Sequence, residues 1–231
     1  MRIAILDLTT LPDAMQAGLP TAGALIEAWL APALPEAEFT RHAVAQEAAP
    51  LPALETLDGV VLSGSELGVY DQTPWMEPLR AYLDTLRAAR LPVYGICFGH
   101  QIMADTWGGR AQRAASGLAV GARSFEIEGR ATLAHLWHGD QVTEVPPEAT
   151  VTARAAHCPV GALVYDFPAR SVQFHPEFTL PYLRALLAGG RGSFIEEAEA
   201  DAALASMNGT PVDPDLEAEA TAAFFRGAGG S

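Results

Sequence analysis

The stretch VYGICFGHQI, residues 93–102, sets one cysteine between two glycines at the point where an apolar strand gives way to a helix. Valine, tyrosine and isoleucine suit a buried strand, and FGHQIMADTWGG carries helical spacing until Gly108 and Gly109 stop it. A packing cysteine does not need small neighbours on both sides. A nucleophile does, because a tight strand-to-helix turn exposes the side chain at the carboxyl edge of a sheet. Gly95, Cys97 and Gly99 have that spacing. The helix N-terminus behind Cys97 favours thiolate over thiol, and the backbone N–H of Phe98 points toward an oxyanion formed beside the sulfur.

Working outward, strand and helix alternate. RIAILDL reads as a buried parallel strand, AGALIEAWLAPAL as a helix ended by Pro32 and Pro35, and AEFTRHAV as a second strand. APLPALETL reads as a connecting loop with a short helical piece, DGVVLSGS as a further strand, and MEPLRAYLDTLRAAR as an amphipathic helix. This pattern predicts an α/β fold with a mostly parallel central sheet flanked by helices. After Arg110 the texture changes to short strand-like pieces: RAQRA, RSFEIEG, ATLAHLW, ATVTARAA, GALVYDF and ARSVQFH. They predict a small antiparallel or mixed extension. Helix returns at TLPYLRALLAGG, followed by an acidic, alanine-rich tail with a break at NGTPVDPD, either a packed helical pair or a trailing one.

A second constellation lies downstream, in SVQFHPEF, residues 171–178. Pro176 keeps His175 extended, so His175 and Glu177, two apart, point to one side. A carboxylate beside an imidazole fixes its tautomer and stabilises the imidazolium, as a base serving Cys97 requires.

GICFGHQ followed by FHPEF resembles the class I (triad) glutamine amidotransferases over roughly residues 1–189. The resemblance implies a flavodoxin-like fold and a triad of Cys97, His175 and Glu177 that hydrolyses glutamine through a γ-glutamyl thioester. It places the rest of the oxyanion hole at the backbone of Gly64 and Ser65, where VVLSGSELG matches the family's oxyanion loop. It assigns glutamine binding to Gln101 and, through the backbone of the LWHGDQV loop, to Gly139 and Asp140. Ser65 departs from the family's usual glycine-proline-glycine run and resembles γ-glutamyl peptidases. The alternative reading is therefore a free-standing γ-glutamyl peptidase or conjugate hydrolase with the same triad. The implied domain is residues 1–190, with residues 191–231 as a helical extension packed on it or trailing from it. An ammonia-accepting synthetase would be a separate subunit.

Composition narrows the field. The 231 residues carry a net charge of -14, and every basic residue is an arginine. Without lysine there is no lysine Schiff base, lysine general base or Walker-type phosphate lysine. An acidic chain without a basic run points away from nucleic acid and anionic membranes. MRIAILDLTT turns polar too soon for a signal peptide, and no apolar run approaches a membrane span. The two cysteines, Cys97 and Cys158, make no disulfide framework, and a reducing cytoplasm is expected. His157 beside Cys158 lacks further ligands at zinc spacing, so no metal is expected, and the triad hydrolysis that the resemblance implies needs no organic cofactor. Cys158 reads as a buried small hydrophobe. His42 and His135 sit on predicted strands, His100 shapes the cysteine turn and His138 anchors its loop. Trp75 and Trp107 read as packing residues, Trp137 as a candidate pocket border and the C-terminal glutamates as a solvated face. A dienelactone-type cysteine hydrolase would use Asp140 or Asp166 as its acid, against which the His-Pro-Glu motif argues. A non-catalytic binding protein is the remaining class.

Overall fold

The computed structural model describes residues 1–10, 18–47, 49–127, 129–209 and 212–228. Its main sheet begins with β1 (Arg2–Asp7), β2 (Glu38–Ala43), β3 (Gly59–Leu62) and β4 (Val93–Ile96). β11 (Ala169–Val172) joins them, and the five run parallel in the order β2-β1-β3-β4-β11. That is the flavodoxin-like strand order, in which ligands bind beyond the carboxyl ends of the strands. Side chains alternate between the faces of this sheet. Ala4, Leu6, Val60, Leu62 and Val93 face one apolar layer, Ile3, Ile5, Val61, Tyr94 and Ile96 the other.

Helices cover both faces. Leu79, Leu83 and Leu86 of α3 (Met76–Ala88) and Phe98, Ile102 and Met103 of α4 (Phe98–Thr106) fill the first layer. Ile26, Trp29 and Leu30 of α1 (Ala22–Leu30) fill the second, and a single turn, α2 (Val44–Glu47), follows β2. Thr21 caps α1, its hydroxyl accepting from Ala24 N–H.

The predicted antiparallel extension is present and continuous with the main sheet. β10 (Cys158–Tyr165) pairs antiparallel with β11, followed by β9 (Ala149–Ala155), β6 (Ala119–Ile127) and β7 (Arg130–His138). Two sequence expectations need correction. ARSVQFH, grouped with the extension, supplies β11, which lies parallel to β4 at the centre of the sheet. LWHGDQV is not one loop: the chain passes from β7 through Gly139 into β8 (Asp140–Glu144), which pairs with β5 (Arg110–Arg113) in a separate two-stranded sheet.

The C-terminal helices pack closely. α5 (Leu180–Gly190) and α6 (Glu197–Ser206) share an apolar cluster with Val120 and Ala122 of β6. α7 (Asp215–Ala228) lies in the second core layer beside α1. Its Phe225 is fully buried and so close to β3 that a Cβ on Gly59 would sit 2.6 Å from its ring. Trp29 Nε1 donates to Pro214 O at 3.1 Å, and Tyr94 OH donates to Glu217 Oε1 at 2.7 Å. Glu217 is thus held against the core and is no part of a solvated face. Thr210 and Pro211, in the break between α6 and α7, lie outside the described residues. Among the described residues, no helix is long and apolar enough to cross a membrane.

Burial of Phe225 predicts that Phe225→Ala lowers unfolding free energy by about 3–5 kcal/mol, the cost of emptying a well-packed aromatic site. Urea denaturation measures this; a loss below about 1 kcal/mol would mean that α7 is not part of the cooperative core.

Candidate active site

Two strand ends build the site. β4 and β11 lie side by side, with Gly95 opposite Ser171 and Ile96 opposite Val172. Cys97 N–H donates to Val172 O at 2.8 Å, so the chain after β11 leaves the sheet beside the cysteine. Cys97 is the N-cap of α4 and holds φ 53° and ψ -102°, a backbone region that residues with a Cβ rarely occupy. The flanking glycines allow this turn to close. A Cβ on Gly95 would meet Met103 Sδ at 2.4 Å, and one on Gly99 would meet Leu62 O at 2.8 Å. Gly99 N–H donates to Ser63 O at 3.1 Å, tying the start of α4 to the end of β3.

His175 follows β11. Its N–H donates to His135 O at 2.9 Å, which fixes the chain against β7. Its Nδ1 lies 2.8 Å from Glu177 Oε1, and its ring stacks on Phe178 with centroids 3.9 Å apart and planes at 9°. Imidazole and carboxylate are both buried. Burial pulls His175 down, but the charge of Glu177 and the neighbouring Cys97 outweigh it and hold the imidazole up at about 10. Gly64 separates the two halves of the site: a Cβ there would lie 3.0 Å from His175 Cε1 and 3.5 Å from Cys97 Cβ. A side chain at position 64 would crowd both the imidazole and the cysteine.

A cavity of about 330 Å³ opens over this group. Cys97, His175, Glu177, Gly64, Ser65, Gln101, Gly139 and Asp140 all line it. Phe98 lies beneath, fully buried, its ring edge-on to Trp75 with centroids 5.7 Å apart. The predicted residues therefore converge, with one refinement. Asp140 O already accepts from Gln101 Nε2 and from His138 Nδ1, both at 2.9 Å, and Gly139 O accepts from Ala114 N–H at 2.9 Å. The Asp140 carboxylate lies beside Arg113, with Nε 4.0 Å from Oδ1, and beside the Tyr70 phenol.

Sequence reading did not pick out Gln173. It is fully buried, and its Nε2 donates to Cys97 Sγ at 3.6 Å. Its Oε1 accepts from Gln101 Nε2 at 3.1 Å, so an amide chain runs from the sulfur to the Asp140 carbonyl. Its mark in the sequence is only its place, a polar residue between Val172 and Phe174 at the end of a strand, two residues before His175. Arg113, Tyr182 and Phe194 line the cavity from separate elements and carried no sequence signal.

The other candidates lie elsewhere or hold structure. His100 is buried with Nδ1 2.8 Å from Ser171 Oγ, and burial pushes it down to about 3. Burial likewise pushes His138 down to about 4, and it anchors its own turn. His135 Nδ1 lies 2.8 Å from Phe178 O, and His42 stands beside Thr40 on β2. Cys158 is fully buried and free, with burial pushing its thiol up to about 12. Trp107 packs edge-on against Tyr165 and Phe167, while Trp137 borders the cavity. Among the described residues, no three metal-ligating side chains cluster.

The sequence model described as glutamine amidotransferase class-I matches residues 26–185. The glutamine-hydrolyzing GMP synthase of Bordetella avium is 33% identical over 144 residues, which are 55% of this chain and 26% of that protein. The chain spans about a quarter of the length of the first GMP synthases it matches. Gamma-glutamyl peptidase 3 of Arabidopsis thaliana is 30% identical over 190 residues, 75% of this chain and 76% of that protein. The crystal structure of a glutamine amido transferase from Methylobacillus flagellatus shares the fold, with TM-score 0.73 at 21% identity over 98% of this chain and 94% of that one.

The buried ion pair predicts a measurable titration. In Glu177→Gln the imidazole keeps a hydrogen-bond acceptor and loses its counter-charge, so its midpoint should fall from about 10 toward 6.5. Nitrogen NMR of labelled histidine reads this directly. The folded value is raised, so the stabilisation is complete below about pH 6.5 and is lost as pH rises through about 10. The difference in unfolding free energy between wild type and Glu177→Gln should narrow across that window, and an unchanged His175 midpoint would remove the carboxylate as its cause.

Proposed function

The chain belongs to the class-I glutamine amidotransferase family, and from that membership we propose that it hydrolyses the side-chain amide of glutamine, or of a related γ-glutamyl compound, at Cys97. The observation that carries the reading is His175, bonded to Glu177 at 2.8 Å and facing Cys97 across Gly64 in one cavity.

In this reading the Cys97 thiolate attacks the γ-carbonyl carbon. The oxygen gains charge and is held by the backbone N–H groups of Phe98, Gly64 and Ser65. The C–N bond breaks as His175 gives its proton to the departing nitrogen, leaving a γ-glutamyl thioester on the sulfur. Water enters, His175 takes its proton, and the thioester opens to glutamate and free Cys97. Glu177 orients the imidazole and stabilises the imidazolium through both steps. Gln173 holds the sulfur at a fixed distance from the Gln101 amide. No step draws on a metal or organic cofactor.

The far end of the substrate carries an ammonium and a carboxylate. Asp140 and Arg113 bring the complementary charges to one wall of the cavity, 4.0 Å apart. With the Asp140 carbonyl already occupied, the carboxylate is assigned to the α-amino group and the guanidinium to the α-carboxylate. The amidotransferase domain is placed at residues 1–190, with residues 191–231 as its helical extension. A second reading, a free-standing γ-glutamyl peptidase, is favoured by the match to the Arabidopsis peptidase over most of both chains. Ser65, which stands where the glycine-proline-glycine form is usual, favours it too. In the first reading the ammonia passes to a separate synthetase subunit.

Glutamate release from glutamine by the purified protein tests the assignment. Cys97→Ala should lose at least about a hundredfold in kcat while remaining folded, since losing a triad nucleophile costs ~10⁴ or more; a folded variant with near wild-type turnover would sink the mechanism. N-acetylglutamine should be turned over far more slowly than glutamine, because acetylation removes the ammonium assigned to Asp140. Equal turnover would remove that assignment.

A further inference from the structure

The walls of the cavity differ in chemistry. The wall with Gln101, Asp140 and Arg113 is polar and charged. Beside His175 the lining is largely apolar: Phe178 stacks on the imidazole, Tyr182 lies 4.9 Å from Phe178, and Leu186, one helical turn beyond Tyr182, and Phe194 line the same cavity. Phe178, Tyr182 and Leu186 are buried, whereas Phe194 at the rim is 56% exposed.

Phe194 is held at the rim by structure. The turn after α5 closes with Phe194 N–H and Ile195 N–H both donating to Gly190 O, at 2.8 and 3.1 Å. Arg191 pins the turn to α6 through Glu197 and, at 2.6 Å, Asp201. Ile195 is buried beneath. The ring is therefore presented toward the cavity by a fixed turn.

Proton transfer decides which part of a substrate meets this wall. The proton that departs with the leaving nitrogen comes from His175, so the nitrogen and whatever it carries lie on the His175 side. Ammonia from glutamine carries nothing and would leave Tyr182, Leu186 and Phe194 uncontacted. We propose that the wall from Phe178 to Phe194 is a leaving-group subsite, and that the preferred substrates are γ-glutamyl amides of amines bearing an apolar or aromatic group. This rests on the hydrolase reading above and narrows it to a substrate class. The reaction remains hydrolysis: the γ-C–N bond breaks, the amine departs with the proton from His175, and water oxygen ends in glutamate. The subsite contributes apolar burial of the amine's side chain, which lowers the free energy of both bound substrate and transition state.

The test compares kcat/KM for glutamine, γ-glutamyl-glycine and γ-glutamyl-phenylalanine, using the full-length purified chain and its Phe194→Ala and Phe194→Leu variants. Wild type is expected to prefer γ-glutamyl-phenylalanine to γ-glutamyl-glycine by about tenfold or more, the scale on which apolar pockets discriminate. Phe194→Ala should reduce the ratio of γ-glutamyl-phenylalanine to glutamine turnover by about tenfold, and Phe194→Leu should restore part of it. Glutamine turnover without a preference between the two dipeptides, or an Ala variant that lowers all three substrates alike, would overturn the subsite and leave the hydrolase reading intact. Turnover of glutamine alone would also overturn it and make the apolar rim a protein-docking surface. No turnover of any γ-glutamyl amide would reject both.

Discussion

The site depends on one strand pairing. β4 and β11 are neighbours in the parallel sheet, and the hydrogen bond from Cys97 N–H to Val172 O joins their ends. Because the strands run the same way, both chains leave the sheet at the same edge: one turns sharply at Cys97 into α4, the other runs on through Gln173 to His175 and Glu177. A shift of one residue in this register would turn Gln173 and His175 to the opposite face of the sheet. The turn at Cys97 is strained, with positive φ, and it is sustained by what surrounds it. Gly99 is bonded to Ser63 O, and the Ser63 hydroxyl accepts from Leu8 N–H and donates to Gly64 O, each at 2.8 Å. The ends of β1, β3 and β4 are thereby locked together around the sulfur.

Electrostatics divides the two sides of that edge. Burying a lone charge costs several kcal/mol, and His175 and Glu177 limit that cost by standing 2.8 Å apart. The same burial keeps His100 and His138, without a carboxylate beside them, neutral at ordinary pH. Three histidines near the site thus have separate duties that their environments alone distinguish. The two cysteines divide similarly: Cys158, sealed in the core, has its thiol pushed up to about 12, while Cys97 borders a cavity.

The C-terminal segment is structural and also shapes the site. α7 completes the layer over β1, β3 and β4 that α1 begins, and the turn before α6 supplies the rim of the cavity. Its acidic composition gives little indication of this. The decisive residues are isolated apolar ones, Phe225 inward and Phe194 outward, among alanines and glutamates. The helix carrying Phe225 has a short apolar stripe whose partner, Gly59, lies far earlier in the chain, and a single glycine announces nothing about what packs on it.

What the sequence determined by itself was set by local chemistry. Alternating apolar strands and amphipathic helices up to Arg110 specify the α/β layers, because burial on both faces of a parallel sheet demands that pattern. Gly95 and Gly99 around Cys97 mark the elbow, because only small residues fit there. Pro176 marks the end of the strand, but the pair it separates is not extended: Phe178 N–H donates to His175 O at 3.3 Å, and this turn is what carries Glu177 back to the imidazole. Long-range relations were decided by the tertiary structure. ARSV is a short strand with no mark of direction, and only its pairing partner makes it parallel and central. The chain's change of sheet at Gly139 follows from β8 finding β5. Gln173 reaches the sulfur, and Phe178, Tyr182, Leu186 and Phe194 form one wall, because folding brings separate elements to a common edge. Side-chain contacts across that distance depend on register and packing, which no local window of sequence contains.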